Sequence, residues 1–251
     1  MFAVIGGSGL TRLNGLELLV RKEIQTPYGS PSAPLLQGRL GATEIVFLAR
    51  HGEQHQFPPH RINYRANLWA LAQLKVQGII SIATVGSLIP EWRPGVLVLP
   101  DQLIDYTSNR DHSFFDAEAV HVDFTEPFDG GLRRRIAGAL TRLELPYQQH
   151  ATYGCTQGPR LESAAEIRRL RRDGCDLVGM TAMPEAGLAR ELTIPYATLA
   201  VVANHAAGIG ESAERIVLEE IPPILEAAMA KVLRVLALLV QGPASAASNA
   251  V

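Results

Sequence analysis

The residues best suited to chemistry in this sequence sit in short segments that follow apolar runs. Gly6-Gly7-Ser8-Gly9 comes directly after Phe2-Ala3-Val4-Ile5. A glycine loop of this kind leaves backbone N–H groups free and lets an anion come close, with the serine hydroxyl as a further donor. A plain glycine turn would use the same residues. The dinucleotide spacing G-x-G-x-x-G does not fit, because counting from Gly7 puts Arg12 at the third glycine. Arg50-His51-Gly52 follows a second apolar run, Ile45 to Ala49. Arginine offers a bidentate fork suited to phosphate, and histidine a donor whose charge varies near neutral pH. His51 and His55 stand as H-x-E-x-H, not H-E-x-x-H, and Gly52 with Pro58-Pro59 argues against a helix presenting both. No metal is expected.

Ala83-Thr84-Val85-Gly86-Ser87 ends a third run and brings hydroxyls and amides to the edge that carries Arg50, if the strands are neighbours. Ordinary strand-end turn chemistry accounts for it equally. Gly158-Pro159-Arg160-Leu161-Glu162 reads as the opening of a helix with Glu162 in its first turn, and Glu185 is a first-turn glutamate of another. Either carboxylate has the plain role of complementing a helix dipole. Asn204 closes the last apolar run, where asparagine serves as a strand-end cap or as a ligand. Arg168-Arg169-Leu170-Arg171-Arg172 reads as a solvated helix face, and Cys155 and Cys175 as free buried thiols.

These segments need a frame, and the apolar pattern supplies one. Near-continuous runs at Phe2–Ile5, Ile45–Ala49, Ile79–Ala83, Val96–Leu99, Leu177–Met180 and Tyr196–Ala203 predict buried strands. Three- and four-residue apolar spacing predicts helices over Ile62–Val76, Leu132–Leu143, Leu161–Arg172, Pro184–Glu191 and Ile224–Leu239. Strands of this kind alternating with amphipathic helices indicate an α/β sheet covered on both faces. One domain over residues 1–241 is expected, with a small polar tail from 242 to 251.

Lys and Arg number 23 against 25 for Asp and Glu, a net charge of −2, so the chain lacks the basic footprint of a nucleic-acid or anionic-membrane binder. The amino-terminal residues lack the pattern of a secretory leader, and no run is long and apolar enough to span a membrane. A cytoplasmic protein with small-molecule partners is expected.

Read in order, several of these segments resemble the trimeric purine nucleoside phosphorylase family, most closely its methylthioadenosine phosphorylase branch. The resemblance rests on Gly6-Gly7-Ser8-Gly9-Leu10, Ala49-Arg50-His51-Gly52, Asn63-Tyr64-Arg65-Ala66-Asn67 and Gly86-Ser87-Leu88. It continues through Asp101-Gln102-Leu103-Ile104-Asp105, Glu126-Pro127-Phe128, Gly158-Pro159-Arg160 and Gly179-Met180-Thr181. It implies a mixed β-sheet flanked by helices, a homotrimer, and active sites close to subunit interfaces. It also implies that Ser8, Arg50, His51, Ala83, Thr84 and Thr181 hold phosphate and that Met180 lies against a sugar. His121 matches a histidine lent to the neighbouring subunit's pocket. The implied reaction is phosphorolysis, with inorganic phosphate as co-substrate and no cofactor.

Departures from the adenine-specific branch refine that expectation. Asn204 and Ala206 stand where the branch has aspartates, and Glu162 stands where it has a serine but the oxopurine phosphorylases have a glutamate. Leu161 replaces an aromatic ring. A carboxylate only accepts hydrogen bonds, so Glu162 suits the N1–H of a 6-oxopurine and repels the N1 lone pair of adenine. The Asn204 amide can donate to O6 or N7. Asn204 and Glu162 are therefore expected to stabilise charge on the departing base. Around Val217 the stretch Ile216-Val217-Leu218 offers no side-chain hydrogen bond, which favours a 5′-methylthio group over a 5′-hydroxyl. S-methyl-5′-thioinosine is the expected substrate; general 6-oxopurine nucleosides and methylthioadenosine are the alternatives.

Overall fold

The long apolar runs become central strands because a strand covered on both faces has no solvent side to mark with polar residues. The computed structural model describes residues 1–240; the tail expected from residue 242 lies outside them. In chain order the first half contains β1 (Phe2–Gly6), β2 (Leu16–Lys22), β3 (Leu35–Leu40), β4 (Thr43–Ala49), α1 (Tyr64–Gln73), β5 (Ile79–Ser87), β6 (Leu97–Val98) and β7 (Gln102–Asp105). The second half contains α2 (Gly130–Arg142), β8 (Tyr147–Gln148), β9 (Thr152–Cys155), α3 (Ala164–Arg172), β10 (Leu177–Gly179), α4 (Ala182–Glu191), β11 (Tyr196–His205) and α5 (Ile221–Val240).

The strands form one mixed sheet in the order β2-β3-β4-β1-β5-β10-β9-β7, with β11 added on β5 and leading to β6 and β8. At its centre β1 pairs in parallel with β4 and β5, and β11 in parallel with β5. All of β1 and all but one residue of β5 are buried. The antiparallel β2 and β3 extend the sheet to an edge where Leu18, Leu19 and Val20 are exposed. Helices α2 and α5 pack together over β11, and α4 packs on α1 and β11.

The helices form where expected, with boundaries set by caps. Asn63 caps α1 by accepting from the Ala66 N–H. The helix expected from Leu161 begins at Ala164, because Ser163 and Glu166 form a reciprocal capping box. Glu162 is therefore in the loop before α3 and not in its first turn.

The sheet opens on one side of β5. On one side of β5 the pairing with β1 covers Ile79 to Ser81, and pairing with β10 covers only Gly86 and Ser87. Between them β1 and β10 diverge. Strand alternation turns the backbone groups of Ile82 and Thr84 into this opening and those of Ala83 toward β11, in keeping with the Ile79 N–H bonded to Pro195 on the β11 side and the Ile82 carbonyl bonded to Arg50 on the other.

Candidate active site

A cavity of about 240 Å³ occupies the opening beside β5. Its floor is the loop after β1. The Leu10 N–H bonds the Gly7 carbonyl at 3.0 Å to close a tight turn, and Gly9 takes a positive φ of 82°. The Thr84 hydroxyl donates to the Ser8 carbonyl at 2.9 Å, tying the loop to β5. Gly7 is needed for a different reason: a Cβ there would lie 2.6 Å from the Ile82 carbonyl oxygen and 3.0 Å from Arg50 Nη1. Gly7→Ala is accordingly expected to push the loop off β5 and weaken the affinity of the cavity for a tetrahedral anion at least about tenfold, a loss of ~1.4 kcal/mol. Calorimetric titration with inorganic phosphate measures it, and an unchanged affinity would mean the loop does not touch the anion.

Arg50 departs from the expected fork. Its side chain is fully buried, and its Nε and Nη2 donate to the two Glu185 oxygens at 2.7 and 2.8 Å. Nη2 also donates to Ser81 Oγ at 2.6 Å, and Nη1 donates to the Ile82 carbonyl at 3.0 Å. The bidentate face of the guanidinium thus grips a carboxylate of the protein itself, and one Nη1 N–H remains for an anion. Burial works against the Arg50 charge, but the Glu185 carboxylate outweighs it and holds the guanidinium above its ordinary pKa. The Tyr196 hydroxyl donates to Glu185 Oε1 at 2.8 Å, and burial keeps that phenol protonated. Because Glu185 balances Arg50 locally, an anion in this cavity would lean on neutral donors: the loop after β1, the Thr84 amide, and Thr181 at the start of α4.

His51 lines the same cavity and is 6% exposed. Its Nδ1 lies 2.8 Å from the Phe57 carbonyl, and its ring packs 4.5 Å from that of His55. Burial first, then the Arg50 cation, pushes its pKa down to about 4.

At the far end the cavity meets Glu162 and Asn204. The Thr156 hydroxyl donates to Glu162 Oε1 at 2.6 Å, which orients the carboxylate and leaves its second oxygen for a ligand. Asn204 Nδ2 donates to the His205 carbonyl at 2.7 Å. That contact fixes the amide orientation, since the opposite flip would set two acceptors together. One Nδ2 hydrogen and the Oδ1 acceptor are left. The wall between is apolar, formed by Leu161, Ala206, Ile216, Leu218, Ile221 and Leu225.

Ser8, Arg50, His51, Thr84, Leu161, Glu162, Met180, Thr181, Asn204 and Ala206 thus surround one cavity. Three residues do not join them. Ala83 is buried behind the wall, with its amide directed at β11 by strand alternation. Val217 is passed over in favour of its neighbours Ile216 and Leu218, because an extended segment turns alternate side chains the same way. His121 is exposed between exposed Val120 and Val122 and does not line this chain's own cavity. The sequence reading missed Thr156, the α5 residues Ile221 and Leu225, and the Glu185–Tyr196 support of Arg50. For Glu185 a signal exists: it shares a helix face with Leu188 and Ala189, so it points inward and needs a cation.

Among the described residues no helix is long and apolar enough to cross a membrane, and none of their His, Cys, Asp and Glu side chains cluster as a metal site. The family model described as the phosphorylase superfamily matches residues 1–241. A Pseudomonas syringae pv. tomato protein named "Probable S-methyl-5'-thioinosine phosphorylase" is 48% identical over 240 residues, covering 94% of this chain and 97% of that one. The 6-oxopurine nucleoside phosphorylase of Pyrococcus furiosus is 48% identical over 215 residues, covering 82% and 80%. The structure of methylthioadenosine phosphorylase from Schistosoma mansoni in complex with adenine superposes with a TM-score of 0.91 at 28% identity, covering 96% of this chain and 90% of that one.

Proposed function

The chain belongs to the phosphorylase superfamily, and from that premise we propose that it splits S-methyl-5′-thioinosine with inorganic phosphate, releasing hypoxanthine and S-methyl-5-thioribose 1-phosphate. It is a nucleoside phosphorylase, a pentosyltransferase. The observation that carries the substrate reading is that Glu162 and Asn204 line one cavity with the glycine loop. The free Glu162 oxygen accepts from the N1–H of a 6-oxopurine. The remaining Asn204 N–H donates to O6 or N7. Adenine offers a lone pair at N1 and an amine at position 6, so it mismatches both groups.

The 5′ end of the sugar meets Ile216, Leu218, Ile221 and Leu225. A methylthio group gains apolar contact there, whereas a hydroxyl loses its water partners without replacement. Phosphate sits against the loop after β1, Thr84 and Thr181, with Met180 beside the sugar. As the glycosidic bond breaks, its electrons pass into the purine and the sugar becomes oxocarbenium-like. A phosphate oxygen then bonds to the anomeric carbon, and the hydrogen that hydrogen phosphate brought ends on the departing base, which leaves as neutral hypoxanthine beside the sugar 1-phosphate dianion. The side chains act by placement and by stabilising the charge that develops on the base. No cofactor takes part in this scheme. A cytoplasmic homotrimer goes with the reading, with exposed His121 reaching a neighbouring copy's cavity.

A second reading, a general 6-oxopurine nucleoside phosphorylase, shares the same base edge and differs only at the 5′ group, and the Pyrococcus relative favours it. Methylthioinosine, inosine and methylthioadenosine assayed at equal phosphate separate these. Hypoxanthine is expected to appear fastest from methylthioinosine. Inosine turned over equally well would favour the second reading, and preference for methylthioadenosine would overturn both.

A further inference from the structure

The geometry points to Arg110 as a positioning residue: its guanidinium splints the segment that leads to Glu162 against the segment that carries Met180 and Thr181, and so fixes the span between base and phosphate. The inference rests on the phosphorolytic reading and extends it to a residue that does not line the cavity.

Strands β9 and β10 run in parallel up to Cys155 and Gly179, and the Thr156 N–H bonds the Gly179 carbonyl at 2.8 Å as the last link between them. There the two chains part. One turns through Gly158 and Pro159 to Glu162, and the other passes Met180 and Thr181 into α4. Arg110 arrives from the segment after β7 and fills the fork. Its Nη2 donates to the carbonyls of Gln157 at 2.8 Å and Thr156 at 3.3 Å, and its Nε to Gln157 Oε1 at 3.0 Å. On the other side Nη1 donates to the carbonyls of Met180 at 2.8 Å and Met183 at 2.5 Å. The residue is 9% exposed, its guanidinium lies 5.5 Å from the Tyr64 ring centroid, and no carboxylate among the described residues pairs with it. A buried cation without a counter-ion is costly to keep. Its partners are backbone dipoles on two separate segments, which a planar fork reaches at once and a point charge does not. All five N–H groups are engaged, so none is left for a ligand and the residue acts through the segments it joins. Thr156 orients Glu162 on one of them, and Met180 and Thr181 line the cavity from the other. Where catalysis works by placement, a shift of about 1 Å between such halves costs about a hundredfold in rate.

The test compares wild type, Arg110→Lys and Arg110→Met in the full-length protein. Lysine keeps the charge and loses the span. In both variants kcat for hypoxanthine release from methylthioinosine is expected to fall at least about a hundredfold. Calorimetric dissociation constants for hypoxanthine alone and inorganic phosphate alone are expected to stay within about threefold of wild type, because each segment keeps its own grip. Gln157→Leu, which removes only the Nε acceptor, serves if neither variant folds, with kcat down about threefold or more at unchanged affinities. Wild-type kcat in Arg110→Lys would show that charge and not span matters, and it overturns the inference. So does an unchanged kcat in every folded variant, and so does a fall in which both affinities drop as far as kcat, the mark of a generally loosened fold. Any of these with normal phosphate-dependent release by wild type removes the inference alone. If wild type releases no base with phosphate, the phosphorolytic reading falls and takes the inference with it.

Discussion

Glu185→Leu is expected to lower stability by about 3–5 kcal/mol, because it leaves the Arg50 guanidinium buried beside Ser81 and Tyr196 without its carboxylate. For a chain of this size that corresponds to a fall in melting temperature of roughly 10 °C. Phosphate-dependent turnover is expected to disappear as well, since Ser81 and the Ile82 carbonyl alone hold the guanidinium less firmly than the two-point grip of the carboxylate. Folding and function are separated by the double variant Arg50→Met, Glu185→Leu. Exchanging a buried ion pair for apolar residues of similar volume is often close to neutral in stability, so the double variant should regain most of the melting temperature and none of the activity. A single variant that melts within about 2 °C of wild type, less than one kcal/mol on this scale, would show that the pair does not support the core. A double variant with normal phosphate KM would show that Arg50 does not touch the anion.

The second large effect concerns the base. Glu162→Ser with Asn204→Asp is expected to reverse the preference for 6-oxopurines over 6-aminopurines, a change on the order of 10⁴ in the ratio of kcat/KM values if the two mismatches act independently. Serine removes the acceptor that opposes the adenine N1 lone pair. The aspartate replaces a donor with an acceptor that suits the exocyclic amine. Asn204→Asp also sets a carboxylate oxygen where the amide now donates to the His205 carbonyl at 2.7 Å. The aspartate must therefore rotate toward the base, and the single variant should lose activity on both base types. Progress curves with methylthioinosine and methylthioadenosine measure the ratio. If a folded double variant keeps the wild-type ratio, Glu162 and Asn204 are not the groups that face the ring.

Much of this site is legible in the sequence, for physical reasons. Buried parallel strands leave long apolar runs, and their carboxyl ends collect at one edge, so Ser8, Arg50, Thr84 and Asn204 could be placed together before any coordinates. The strands that escape notice are short or irregular. β2 lies at the sheet edge with Leu18 to Val20 exposed, and β9 carries Gly154 where a Cβ would approach Cys175 Sγ at 2.9 Å. β2 lacks the continuous burial that marks β1 or β5, and β9, though buried from Tyr153 to Cys155, is only four residues long. The start of α3 is obscured because Glu162 looks like a first-turn acid, whereas Ser163 and Glu166 supply the cap. Arg50 shows a different limit: residue type announces an anion ligand, but which anion it grips depends on Glu185, which reaches it from another helix. Ile221 and Leu225 are likewise invisible as site residues, since only the packing of α5 brings them to the cavity.

Where β1 and β10 diverge, one flank of β5 is left without a partner strand. Thr84 turns its amide to a side where no neighbouring strand answers it, so the sheet there is an unfinished weave. An oxyanion held there would supply the missing acceptors and act as a surrogate strand one residue wide. On the proposed reading phosphate would do more than react: it would complete the fabric of the fold at its centre, and amide exchange at Thr84 is expected to slow when the anion is added.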